Sequence, residues 1–497
     1  MNWPTPAATV FPQLPGGVSG RRPRRVPVIA RRGWALGTTC LVTALFAPLI
    51  ALAGSARKFF LAIVLLDIPL QIDKNFAYRD AAAELGARAG FNVSLTTIAL
   101  VGLYGAWFIE RLVHRYRPTR PPAGLIMALA PYMVVVALSV AVADDFGLYA
   151  RGLVLVGQMF LLYVYLIGTV KTREDIRFVV SWLLCGLVCE GIFIAISATG
   201  GDFALGGLQV RKDTLEEEQF GMASRFAGTV GSPILAAAYL EMLLAPALAV
   251  FGTNLGRYYK SLAVLGLTLG AIALIGTFSR GGWLAAGLSI TIVYFLLWRR
   301  RKLSPVVPVV LFLLLSALAL MFHEAISRRL TGDDVGSARG RVPLMMMAWN
   351  IIADRPALGV GANNYTRALE PRAPEFGNEW LFTVHNQYLL VWAETGVVGL
   401  AAYVWFLLVT LRRGWQVWKR ADPVLAPLSL AFTAALMGQM IHMQVDIYSS
   451  RPQIELLFVV AALIGAMSRM DVPRPARCHA RQREARRVQR QLLISEA

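Results

Sequence analysis

The sequence predicts an all-α polytopic transmembrane helical bundle of about 12 spans with one large loop, and three observations carry that prediction. Of its 497 residues, 56% are hydrophobic and only 16% charged, against about 25% charged in soluble globular domains. Apolar runs recur from residue 34 to residue 468, each about 17 to 25 residues long and so able to cross a hydrocarbon core. A backbone in lipid must satisfy its own hydrogen bonds, which leaves helices or a closed barrel. The runs are continuous rather than alternating, which excludes barrel strands.

A formal charge of +19 invites a nucleic-acid reading, but its placement argues against one. Arg21, Arg22, Arg24, Arg25, Arg31 and Arg32 precede the first apolar run, and a second arginine cluster from Arg469 to Arg490 follows the last. Such clusters beside spans mark the cytoplasmic side, where anionic lipid attracts them. The expected partner is therefore the lipid bilayer and not nucleic acid. Cys40, Cys185, Cys189 and Cys478 fall in apolar runs or the basic tail, so no disulfide framework is implied. ALAG at 51–54 resembles a cleavage site, yet the run before it is nearly span length, and an uncleaved first helix is expected.

Working backwards from the basic tail, the spans are expected near 453–468, 424–445, 388–409, 304–322, 282–297, 260–278, 231–252, 176–199, 149–168, 123–143 and 92–109. The inside loops then carry LRRGWQVWKR, WRRRK, GRYYK, KTRED and HRYRPTR, as the positive-inside rule asks. Outside lie DDFG, a loop near 200–230 and the long loop 323–384. Both 34–54 and 59–72 look helical. With both tails inside, one of them must be re-entrant or interfacial, and IPLQIDKN selects the second. The chain thus divides into a cytoplasmic tail (1–33), N-terminal spans (34–322), a periplasmic loop (323–384), C-terminal spans (385–468) and a second cytoplasmic tail (469–497).

The long loop has its own pattern. Val342, Met345, Met346, Trp349 and Ile352 share one face of a helix. That helix should stop near Asp354, ahead of Pro356. Gly359 and Gly361 supply a turn, and Asn363 is placed to cap the segment after it.

Three polar positions fall on the outer face under this topology: Arg225 in SRFAGTVGSPILAAAYL, Arg280 in TFSRGGWLAAGL and His385 in TVHNQYLLVWAETGVVGL. An Arg at a helix end ordinarily snorkels to headgroups, and a lone His is ordinarily structural. Gly281 and Gly282 after Arg280 let a backbone approach a ligand, and the helix they begin favours an anion. Glu394 is a further charge within a span, whose plain role is a hydrogen bond to a neighbouring helix. Together the set reads as a pocket for a membrane-borne polyanion with a base beside it. There is no D-x-D motif and no His/Cys cluster at metal-ligand spacing, so neither a metal nor another cofactor is expected.

SRGGWLA, RFAGTVGSPILAAAYL and ADRPALGVGANNY followed by HNQYLLVWAETGVVGL resemble the O-antigen ligase and O-antigen polymerase superfamily, over about residues 220–410. The resemblance implies a metal-independent, inverting glycosyltransferase of the inner membrane, working at its periplasmic face. Its donor would be a glycan on undecaprenyl diphosphate, its acceptor lipid A-core or another polysaccharide. It also implies that Arg225 and Arg280 hold the diphosphate and that His385 activates the acceptor hydroxyl. Arg339 and Arg341 sit where the family often has basic loop residues. The family's Asn near the proline of GSP is replaced by Ser232. A polymerase joining lipid-linked repeats, as in exopolysaccharide synthesis, differs only in acceptor. A lipid-linked sugar transporter would also need the arginines, but no internal repeat supports it.

Overall fold

The computed structural model describes residues 55–113, 123–200, 203–205, 208–213, 225–303, 341–372 and 382–470, with isolated positions 306, 323 and 327. The run 34–54, most of 304–322, Arg339 and both basic tails lie outside the described residues.

Helix α1 (Ser55–Leu70) leads into a hairpin of β1 (Asp73–Phe76) and β2 (Phe91–Ser94) that encloses the short α2 (Asp80–Glu84). Then come α3 (Leu95–Val113), α4 (Ala123–Leu138), α5 (Phe146–Thr169) and α6 (Arg173–Gly200). A small antiparallel sheet comes next, ordered β3 (Phe203–Leu205), β4 (Leu208–Asp213), β5 (Arg225–Gly228). After it run α7 (Pro233–Ala249), α8 (Arg257–Gly276) and α9 (Arg280–Arg299). The loop helices α10 (Arg341–Asp354) and α11 (Tyr365–Leu369) precede α12 (Gln387–Trp418), α13 (Leu425–His442) and α14 (Arg451–Arg469).

Among the described residues, nine helices are long and apolar enough to cross a membrane, and α3 adds a shorter apolar stretch at Leu95–Phe108. They overlie the expected spans, because continuous apolarity of that length permits little else. The chain is an all-α, multi-pass membrane protein. Three helices, α7, α13 and α14, are the most enclosed. Small residues let α9 close up on α13: Ser289 donates to the Ala434 carbonyl at 2.9 Å, beside Gly438.

The segment expected to lie re-entrant at 59–72 falls largely in α1, a 16-residue helix that is not among those long enough to cross, and it packs among α3, α6 and α14 with Phe60, Val64, Leu65 and Ile68 buried. The chain leaves the bundle only afterwards, in the β1–β2 hairpin. On α10, the inward residues are Leu344, Met347, Ala348, Ile351 and Ile352, whereas Val342, Met346 and Trp349 are exposed. A helix this apolar all round offers two hydrophobic faces, and periodicity cannot choose between them. Its end at Asp354 is as expected.

Candidate functional site

Arg280 is placed by the TFSR turn. Thr277 ends α8 with its hydroxyl on the Leu274 carbonyl at 2.7 Å. Phe278 takes a left-handed φ of 50°, uncommon outside glycine and asparagine. Ser279 then caps α9, its Oγ accepting from the Gly282 N–H at 3.3 Å. Arg280 is thus the first residue of a helix N-terminus, where an anion is favoured. Both glycines after it are packed against neighbouring helices. A Cβ on Gly281 would lie 2.5 Å from Cδ2 and 2.7 Å from Nε2 of His442, and one on Gly282 would lie 2.8 Å from the Ala237 Cβ. The close approaches that require glycine here include neighbouring helices.

Arg225 reaches the same turn. It opens β5, is buried, and its Nε donates to the Thr277 carbonyl at 3.0 Å. The strand is tethered from behind, since Glu190 of α6 accepts from the Thr229 N–H at 3.1 Å and from its hydroxyl. Ser232 caps α7 by accepting from Leu235 N–H at 3.3 Å, ahead of Pro233 at the first position. An Asn would satisfy the same N–H, so either residue serves this cap.

The HNQ tripeptide clamps the turn between α13 and α14. Asn386 caps α12, accepting from Tyr388 and Leu389 N–H at 3.0 Å each, and donates to the Gln444 carbonyl at 2.9 Å. The Gln387 backbone N–H donates to the Met443 carbonyl at 2.9 Å, and its side chain accepts from Tyr448 N–H at 2.9 Å. This clamp sets His385 Nδ1 3.2 Å from Asp446 Oδ1. His385 precedes α12 rather than belonging to it, so it is not on the helix that carries Glu394. Phe382 stacks on its ring at a centroid distance of 5.7 Å. Behind Asp446 lies His442, Nε2 at 3.9 Å from Oδ2, with its Nδ1 2.8 Å from Glu241 Oε2. Tyr448 donates to Glu241 Oε1 at 3.0 Å. Burial, then the Glu241 and Asp446 carboxylates, push the Tyr448 phenol well above its ordinary value, which keeps it a donor.

The structure therefore connects the three expected residues: Arg225 to the turn that presents Arg280, Gly281 to His442, and His442 through Asp446 to His385. Arg341, at the start of α10, lies near enough for its charge to act on His442. Glu394 stands apart. Its carboxylate faces Arg88 and the backbone N–H groups of Asn363 and Tyr365, in a small polar cavity with Thr366, Thr383 and Ser449. Burial lowers the Arg88 guanidinium from its ordinary value, and Glu394 opposes that shift. Glu394 is tied into the loop rather than to a neighbouring span. Asn363 does not cap α11, whose cap position is Asn364 without a side-chain bond. Instead Asn363 bridges the Arg88 backbone and the Leu148 carbonyl.

The ETGVVGL stretch explains how the loop docks. Gly396 breaks α12 at φ 69° and ψ −179°, and any Cβ there would overlap the Ala357 carbonyl. The break frees the Ala393 and Glu394 carbonyls, which accept from Val360 and Gly361 N–H at 2.9 and 2.8 Å. Gly359 and Gly361 supply the positive φ that this pairing needs.

Sequence reasoning passed over Asp446, His442 and Glu241. The signal was present, since Glu241 and His442 are ionisable groups inside apolar runs, where charge marks function by default.

Residues 265–404 match the family model described as O-antigen ligase. A curated O-antigen ligase of Salmonella typhimurium (strain LT2) is 31% identical over 154 residues, which are 28% of this chain and 37% of that protein. The chain thus spans little more than a third of that relative's length. The matched family segment begins in α8 and ends in α12, taking in Arg280, α10 and the HNQ clamp. By that match, residues 265–404 of this chain are similar to the O-antigen ligase family, and the geometry around Arg280 and the HNQ clamp lies within or beside the matched segment.

Proposed function

We propose that the chain is an O-antigen ligase-type glycosyltransferase of the bacterial inner membrane. It would transfer a glycan from undecaprenyl diphosphate to a hydroxyl of lipid A-core or another terminal acceptor, at the periplasmic face. The observation that carries the reading is the unbroken set of contacts from Arg225 through the Arg280 turn and His442 to Asp446 and His385.

With Nδ1–H donated to Asp446, His385 keeps the Nε2 lone pair for a substrate proton. Its side chain retains 23% of its exposure, so an acceptor can reach it. Nε2 takes the acceptor proton while the oxygen attacks the anomeric carbon. The bond from that carbon to the diphosphate oxygen breaks, and its electron pair leaves on undecaprenyl diphosphate. Attack from the face opposite the leaving group inverts the anomeric centre. Arg225, Arg280 and the N-terminus of α9 stabilise the departing charge, and Arg339 and Arg341 would guide the anionic substrates. No step draws on a metal.

The test uses purified protein in detergent with lipid-diphosphate-linked glycan, candidate acceptors and EDTA, comparing wild type with Arg280→Ala and His385→Ala. Transfer to lipid A-core that both substitutions abolish supports the ligase. Longer lipid-linked chains without core would identify a polymerase instead. No transfer to any acceptor, with normal donor binding by Arg280→Ala, would overturn the diphosphate site and favour a transporter.

A further inference from the structure

The Glu241–His442 pair is a buried acid–base pair beside the site that the proposed reaction does not use. Both side chains are 1% exposed. Such a pair is a poor device for stability alone, because well-packed hydrophobic residues of similar volume commonly serve as well. Its surroundings fix the imidazole on every side. Nδ1 meets Glu241 Oε2 at 2.8 Å, whose other oxygen is taken by Tyr448. The Tyr448 ring abuts the imidazole edge to face at 5.5 Å. Cδ2 and Nε2 lie against Gly281, where no Cβ fits. Nε2 faces Asp446 Oδ2 at 3.9 Å, a charge contact too long for a hydrogen bond. Asp446 is engaged on its other oxygen by His385 Nδ1 and the Ile447 N–H.

Resting on the reading of His385 as the base, we propose that His442 is a positioning residue joining the two halves of the site. One edge of its ring is locked by Glu241. The other sets the separation between the first turn of α9, which presents Arg280, and Asp446, which orients His385. A diphosphate clamp and a base on separate elements must keep register to serve one transition state. A misplacement of about 1 Å can cost about 10²-fold, and a buried ring wedged between Gly281 and Asp446 is the part able to prevent it.

Two near-isosteres separate this role from a structural one. In His442→Gln the amide nitrogen replaces Nε2 and keeps the edge toward Asp446, whereas in His442→Asn it replaces Nδ1 and keeps the bond to Glu241. Glycan transfer is measured for both beside wild type and His385→Ala, with kcat and the donor KM resolved and folding followed by size exclusion. The expected result is that His442→Gln stays within about 10-fold of wild-type kcat while His442→Asn loses about 10²-fold, with donor KM moving less than kcat. Asn matching or exceeding Gln, both at wild-type kcat, or a loss confined to KM would overturn the proposal. If neither variant folds, Gly281→Ala presses the same edge with His442 intact, and wild-type kcat there overturns it equally. Loss of transfer in His385→Ala with both His442 variants fully active sinks the positioning role alone. Full activity of His385→Ala sinks the base itself, and the inference with it.

Discussion

The two ends of the bundle are both rich in arginine and use it differently. At the end where α5, α12 and α14 finish, several arginines serve helix C-terminal carbonyls, while Arg173 pairs with the buried Asp422 carboxylate. Arg420 donates to Ser468 O at 2.6 Å and Met470 O at 3.0 Å, Arg300 to Trp418 O at 2.8 Å, and Arg469 to Ile167 O. Arg300 also lies over the Trp418 ring at 3.7 Å. These contacts complement the negative pole of each helix and leave the charge near the surface. At the opposite end the basic groups meet ionisable side chains deep in the protein. Arg451 holds Asp67, Glu455 and Asp73 at 2.9, 3.0 and 3.2 Å, and His442 and His385 meet Glu241 and Asp446. Arginine thus caps helix ends at one end and, in Arg451, meets buried carboxylates at the other. What separates the jobs is the partner and the depth, not the count of charges.

The largest expected effects test that division directly. On the mechanism proposed above, His385→Ala should lower glycan transfer by about 10²–10⁴-fold, the scale for loss of a general base. Arg280→Ala and Arg225→Ala should each lower it by about 10²-fold or more, as loss of one preorganised charge donor does. All three should keep the wild-type elution profile in detergent. Arg420→Ala should show the reverse, with transfer near wild type and a lower apparent melting temperature. An Arg420→Ala enzyme as dead as Arg280→Ala would erase the distinction between the ends.

The same contrast shows what the sequence made legible. Span positions were readable because an apolar run of bilayer length has one solution, and α7 to α9 and α12 to α14 fall where the runs do. Arg225, Arg280 and His385 were readable as polar residues at span ends on one side. Asp446 was not, since a lone aspartate just past a helix looks like any turn residue, and only the fold brings it to His385. The inward face of α10 was illegible for the opposite reason: nearly every position there is apolar. Gly281 and Gly282 were legible as close approaches, but sequence spacing cannot say whether a ligand or a helix is approached. Asn363 next to Asn364 offered two possible caps, and the tie to Arg88 and Leu148 is long-range.

Gly396→Ala probes the loop docking that the site end alone has. A left-handed φ costs a non-glycine residue about 1–3 kcal/mol, and the overlap with the Ala357 carbonyl adds to it. The apparent melting temperature should fall, and the 356–361 turn should become cleavable by added protease. Protection equal to wild type would mean that α12 can straighten without losing the loop.

At the basic end, Asp422 gives a pH-dependent counterpart. Burial pushes its carboxyl up, but the Leu425 N–H, the Arg173 guanidinium and the Val424 N–H outweigh it and hold the carboxyl below its ordinary range. A depressed folded value means stability that is fully present above the unfolded value, about 3.9, and is lost as pH falls through the folded one. Asp422→Asn should therefore be less stable than wild type at pH 7 by about 2 kcal/mol, the scale of charged hydrogen bonds. The gap should persist to about pH 4 and close below it. A gap unchanged at lower pH would assign the effect to packing.

The smallest effect concerns Ser232, which stands where the family the chain resembles carries Asn. The hydroxyl satisfies one N–H of α7, the helix that carries Glu241 and comes after the Arg225 strand. An Asn side chain reaches the same N–H from the same extended backbone, φ −147° and ψ 154°, and ranks level with Ser as a cap. Ser232→Asn should therefore leave melting and transfer unchanged, while Ser232→Ala should cost about 1 kcal/mol by leaving the N–H unmet. The two substitutions separate capping from chemistry. If Ser232→Ala lowers kcat well beyond its effect on stability while Ser232→Asn does not, the position touches substrate and the cap is only part of its work. If both act on melting alone, the replacement of Asn by Ser is neutral because α7 needs an oxygen there and nothing more.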